Sequence, residues 1–128
     1  VCSSDLMNTD SYIDGFLLSV PRANLDEYRS VATMCGAVWK EYGALNYVES
    51  VLDDGDCPEL RPFPVAAAAG EDEVVIFSWV EYPSKAVRDE ANAKIMADPR
   101  ISSLGEKSQK LFDCSRMSFG GFRPLVIA

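Results

Sequence analysis

From Ser11 to Val20 the chain reads SYIDGFLLSV, rich in β-formers and closed by Pro21, whose missing N–H ends a ladder. With the two-residue period of a strand, Tyr12, Asp14, Phe16, Leu18 and Val20 share one face, and Ile13, Gly15, Leu17 and Ser19 the other. The period then changes. Leu25, Tyr28, Val31, Ala32, Cys35, Val38, Trp39 and Tyr42 recur at helical spacing, Asn24 and Glu27 have the form of a capping box, and Gly43 supplies the stop. Ala44 to Leu52 predicts a second strand, with Leu45, Tyr47, Glu49 and Val51 opposite Asn46, Val48, Ser50 and Leu52. Asp53 to Gly70 carries acids, three prolines, two glycines and an alanine run, which predicts a long connection with room for a short irregular strand. Glu73 to Tyr82 is the strongest strand signal, with Val75, Phe77, Trp79 and Glu81 opposite Val74, Ile76, Ser78 and Val80.

After Pro83, Ser84 is placed to cap a second helix that carries Val87, Ala91 and Ile95 on one side. This helix ends near Asp98, since Pro99 disfavours helical geometry before it; Asp98-Pro99-Arg100 reads as the stop, with Arg100 capping carbonyls. Ile101 to Gln109 predicts a further helical turn, and Cys114 to Phe122 a last strand in which Gly120 and Gly121 mark a bulge or a close backbone approach. Strand, helix, strand, strand, helix, strand is the order of a ferredoxin-like α+β domain, βαββαβ, with an antiparallel sheet and its helices on one face. The strands are apolar on both faces, so the face without helices needs a cover. A second copy, sheet against sheet, is the simplest one.

The chain has 128 residues, enough for one domain that buries roughly two-thirds of its unfolded surface without staples. Its net charge of -8 and the lack of a basic run argue against nucleic acid. The longest apolar run, Val65 to Ala69, is too short to span a bilayer. There is no histidine, which removes imidazole as base, metal ligand or proton shuttle. Residues 1–6, VCSSDL, precede Met7 without sharing its periodicity and read as a non-native or disordered leader before a single domain at 7–128. Cys2, Cys35, Cys57 and Cys114 show no C-x-x-C spacing, so reduced thiols and a cytoplasmic location are expected, with Cys35 in the core and Cys57 and Cys114 exposed.

Asp14, Glu49 and Glu81 sit on strands alongside Phe16, Tyr47 and Trp79, so a common face assignment gathers carboxylates and aromatics between two apposed sheets. A carboxylate buried there has a raised pKa and serves as general acid or base. The competing reading makes them strand-end groups, solvated or paired with Arg116 or Arg88. Tyr47, Phe77, Trp79, Asn92 and Arg116 are the candidate ligand contacts, against core packing for the aromatics and structural tethering for Asn92 and its neighbour Arg88. No P-loop, dinucleotide fingerprint or metal-spaced cluster is present in the sequence, and no metal or other cofactor is expected.

The segments YIDGFLLSVP from Tyr12, VWKEYGALNYVES from Val38, VIFSWVEYPSKAVRDEANAKIMADPR from Val75 and RMSFGGF from Arg116 resemble the YbaA-like family, domain of unknown function 1428. The resemblance runs from about Tyr12 to Val126, departing at the acidic, alanine-rich stretch Asp53 to Gly70. It implies a dimeric α+β barrel in a superfamily that includes cofactor-free monooxygenases and stress-responsive proteins, in a family with no established activity of its own. The expectation is a cytoplasmic homodimer that binds a small apolar or aromatic molecule. The alternative is a cofactor-independent, monooxygenase-like enzyme in which Asp14, Glu49 or Glu81 handles protons.

Overall fold

The structure, a computed structural model, describes residues 6–128; the Cys2 assignment and nearly all of the proposed leader lie outside them. Four strands, β1 (Tyr12–Pro21), β2 (Asn46–Val51), β3 (Glu73–Tyr82) and β4 (Ser118–Phe122), form one antiparallel sheet in the order β2-β3-β1-β4. The helices are α1 (Leu25–Glu41), the single turn α2 (Phe63–Ala66), α3 (Lys85–Ala97) and α4 (Pro99–Leu111). This is the ferredoxin-like arrangement expected from the order of elements.

Register fixes the faces. Asp14 stands opposite Val80 and Gly121, Phe16 opposite Ser78 and Phe119, and Tyr47 opposite Val80. Tyr12, Asp14, Phe16, Leu18, Tyr47, Glu49 and Val80 therefore point to the helices, where Val38, Ala91, Ile95, Val31, Leu104 and Leu111 close the core. Ile13, Leu17, Val48, Phe77, Trp79 and Phe122 point the other way, to a face that no long helix covers. The α2 turn reaches one end of that face, where Phe63 packs edge-on to Phe77 at 6.2 Å.

Several local readings change. Asn24 does not cap α1: a 3-10 turn at Arg22–Asn24 precedes the helix, and the Asn24 amide donates to Leu111 O at 2.9 Å instead. Gly43, at φ +120, ends α1 as expected, a geometry that disfavours any side chain. Asp53–Gly70 holds the α2 turn and no strand. Ser84 Oγ accepts from the Val87 N–H at 3.2 Å and so caps α3 as anticipated.

Asp98-Pro99-Arg100 starts a helix as well as stopping one. Asp98 accepts from the Arg100 N–H at 2.9 Å and caps the 13-residue α4, in which Pro99 holds the first-turn position that needs no N–H. Arg100 caps no carbonyl; its guanidinium lies on Asp98 at 2.7 Å and Glu41 at 2.6 Å. The last strand is shorter than predicted, since Cys114–Arg116 forms a 3-10 turn held by Asp113. Its ladder to β1 runs through Gly120 and Gly121 without a bulge. Gly121 is instead a close approach: a Cβ there would collide with the Arg88 guanidinium and the Tyr12 hydroxyl.

Candidate functional site

The edge strand β2 turns Tyr47 and Glu49 toward α1, and the first turn of that helix brings Tyr28 to them. Glu49 accepts two hydroxyls: Tyr28 donates to Oε1, and Tyr47 donates to Oε2 at 2.7 Å. Close packing allows this. Gly36 faces the Tyr47 ring, which a Cβ at that position would approach to 2.9 Å, and Trp39 tilts against the same ring at 5.9 Å. Burial, aided by the Glu49 charge, pushes both phenols upward and raises the nearby Cys35 thiol to about 11. All three therefore keep their protons at neutral pH, and Cys35 is no thiolate nucleophile.

Behind this triad lies a cavity of about 180 Å³ between the sheet and helices α1 and α4, walled by Phe16, Val31, Cys35, Trp39, Phe112 and Met117. On its outer side a groove of about 520 Å³ runs between α1 and β2. Tyr28, Ala32, Tyr47 and Glu49 line both spaces, so the hydrogen-bonded triad is the partition between them. An apolar cavity with one carboxylate at its border can hold a small molecule by shape and accept one hydrogen bond or proton from it.

A second polar cluster holds the helix layer to the sheet. Asp14, 2% exposed, accepts from Arg88 Nε at 3.0 Å. Burial raises the Asp14 carboxyl above its ordinary range against the pull of Arg88, whose guanidinium also stands 4.8 Å from the centre of the Tyr12 ring. Arg88 thus tethers α3 to β1, one turn before the candidate Asn92 on the same helix.

The three candidate carboxylates do not gather on one face. Glu81 pairs with Ile13 and Asn46 in the ladder, one residue out of phase with Asp14 and Glu49, and so lies on the opposite side of the sheet. It is nearly buried there, with the Asn46 amide 3.4 Å from Oε1. Phe77 and Trp79 share that open face, their rings edge-on at 5.8 Å. Tyr47, the remaining aromatic candidate, belongs to the helix-side triad. Arg116 meets none of the three carboxylates; it forks onto Glu73 at 2.7 and 2.8 Å and donates to Ala68 O at 2.7 Å, fastening the long connection to the sheet.

Tyr28, Cys35, Phe112 and Met117 were not among the sequence candidates. Tyr28 carried a signal nonetheless, because a tyrosine on an apolar helical stripe needs a partner for its hydroxyl when it is buried. The described residues hold no group of three or more Cys, Asp or Glu placed to bind a metal ion, and no helix among them is long and apolar enough to cross a membrane. Cys35, Cys57 and Cys114 are free, the first half-buried and the others exposed.

A four-stranded antiparallel sheet with a helix layer on one face and a cavity between them defines a ferredoxin-like α+β protein, and solved structures share this plan. A NIPSNAP family protein from Agrobacterium tumefaciens superposes with a TM-score of 0.62 at 14% identity, covering 96% of this chain and 93% of that one. SnoaB, a cofactor-independent oxygenase from Streptomyces nogalater, superposes with a TM-score of 0.55 at 14% identity, covering 92% and 96%. At such identities the likeness establishes the fold alone. The family is set by closer relatives: the chain belongs to the family described as Protein of unknown function (DUF1428), whose model matches residues 11–114. It is 44% identical over 115 residues to the uncharacterized protein YbaA of Escherichia coli (strain K12), across 90% of this chain and 97% of that protein.

Proposed function

We propose that the chain binds a small apolar or aromatic molecule in the cavity beneath α1 and α4, and that it does so as a homodimer with the open sheet faces apposed. The observation that carries the binding reading is Glu49, the one carboxylate lining a mostly apolar cavity, its two oxygens engaged by tyrosine hydroxyls. Ligand sites commonly combine apolar walls with one or two convergent polar groups. The homodimer is supported by the apolar side chains left on the uncovered face, Phe77 at 47% and Phe122 at 58% exposed beside Ile13, Leu17 and Trp79. A reducing, cytoplasmic setting is supported by the free cysteines.

A second reading, cofactor-independent chemistry in the same cavity, is favoured by the same carboxylate, which can take a proton from a bound acid. The fold shared with SnoaB agrees with it. In either reading Glu49 replaces the scattered set of Asp14, Glu49 and Glu81 as the residue at the site.

Native mass spectrometry of the purified chain, with titrations followed by the fluorescence of Trp39 and Trp79, tests this function. A dimer and saturable binding of one-ring aromatics are expected, with binding lost in a folded Ala32→Phe variant that fills the space behind the triad. A chain that binds none of them, or an Ala32→Phe protein that binds as well as the parent, overturns the binding reading.

A further inference from the structure

Resting on the cavity-binding reading, we infer that the ligand is a neutral one-ring phenol whose hydroxyl donates to Glu49, and that Tyr28 is the gate it displaces. Size is the first argument. A cavity of about 180 Å³ is close to the roughly 150 Å³ that accommodates benzene in an engineered protein core, so one ring fits.

The second argument is the polarity of the border. Glu49 only accepts, and the Tyr28 and Tyr47 hydroxyls already direct their protons at it, so a group that takes a place on its oxygens has to donate. A carboxylate ligand meets the charge of Glu49 instead. An ammonium has to leave water for apolar walls, a far larger cost than for a phenol hydroxyl.

The third argument is that the protein already displays the complex. Tyr28 is itself a phenol seated on Glu49, with its ring edge-on to Phe112 at 5.7 Å, and Phe112 is a wall of the cavity. A ligand phenol on the inner side reproduces the same O–H···O contact and the same edge-on packing. Tyr28 lines both the outer groove and the cavity, so turning its side chain away frees one Glu49 oxygen and opens the partition together. Tyr47 keeps the other oxygen and holds the carboxylate in place.

Titration of the full chain with phenol, benzene and benzoate, read by saturation-transfer NMR and tryptophan fluorescence, tests the assignment. Phenol is expected to bind more tightly than benzene, with benzoate weakest, although in the parent its bond to Glu49 replaces that of Tyr28. The full value of one charge-assisted hydrogen bond, about tenfold, should appear once Tyr28 no longer competes. Glu49→Gln should bring phenol down toward benzene while leaving benzene unchanged. Tyr28→Phe, which removes the competing donor, should tighten phenol several-fold and leave benzene alone, an effect that a merely structural Tyr28 does not produce. If benzene matches phenol, or Tyr28→Phe weakens phenol, the phenol-and-gate inference falls while the cavity reading stands. If no ring binds and Ala32→Phe changes nothing, the cavity reading itself has failed.

Discussion

Asp14 and Glu73 show how differently this protein treats two paired carboxylates. Asp14 is held by Arg88 in the core, so truncating it leaves a guanidinium facing apolar surroundings. Removing one partner of a fully buried pair costs roughly 3–5 kcal/mol. Arg88 retains Asp89 at 2.8 Å and some access to water, so Asp14→Ala is expected to cost about 2 kcal/mol in urea unfolding, below that range. Glu73 sits in the fork of Arg116, and that hydrogen bonding lowers its carboxyl from 4.5 to about 2. The unfolded chain binds this proton more readily, so the ionised pair stabilises the fold at neutral pH, and the benefit fades as pH falls from about 4.5 to about 2. The stability gap between the parent and Glu73→Gln should be present at pH 7 and close across that window. Of the site, Glu49 and Tyr47 were legible because strand period placed them side by side. Tyr28 was not, because its partner is 21 positions away and only the packing of α1 on β2 brings them together.

At the scale of elements, the helix layer depends on its caps. Ser84 holds the first turn of α3, and Ser84→Ala should cost about 1 kcal/mol, seen as a lower urea midpoint with an unchanged slope. The strands and α1 could be read from hydrophobic period, and β3 matches its predicted limits at Glu73 and Tyr82. Elements fixed by single side chains were harder. Asp98 reads equally as the end of one helix or the start of another, and it is both, since it accepts from the Arg100 N–H and from the Tyr42 hydroxyl at 2.7 Å. The Asn24-Glu27 pair matched a capping box, but the preceding 3-10 turn re-aims Asn24 at the end of α4. Relative strand phase was likewise invisible locally: Glu81 belongs with Asp14 or against it according to a one-residue shift that only the ladder decides.

For the whole molecule, the proposed pairing of open faces predicts a concentration-independent dimer in sedimentation equilibrium at micromolar protein. Phe77→Asp, which places a charge on that face, should yield a folded monomer; an unchanged dimer would show that the subunits meet elsewhere. The helix layer holds a consequence for kinetics. Helices α1 and α4 run antiparallel and are pinned at both ends, by Asn24 to Leu111 at one and by Tyr42 to Asp98 at the other. Such a pair has no free end about which to splay. Ligand entry is then set by the turning of individual side chains, Tyr28 first among them, rather than by separation of the helices. Ligands that pass the same gate should then share one entry rate, and their affinities should differ mostly in how long each one stays.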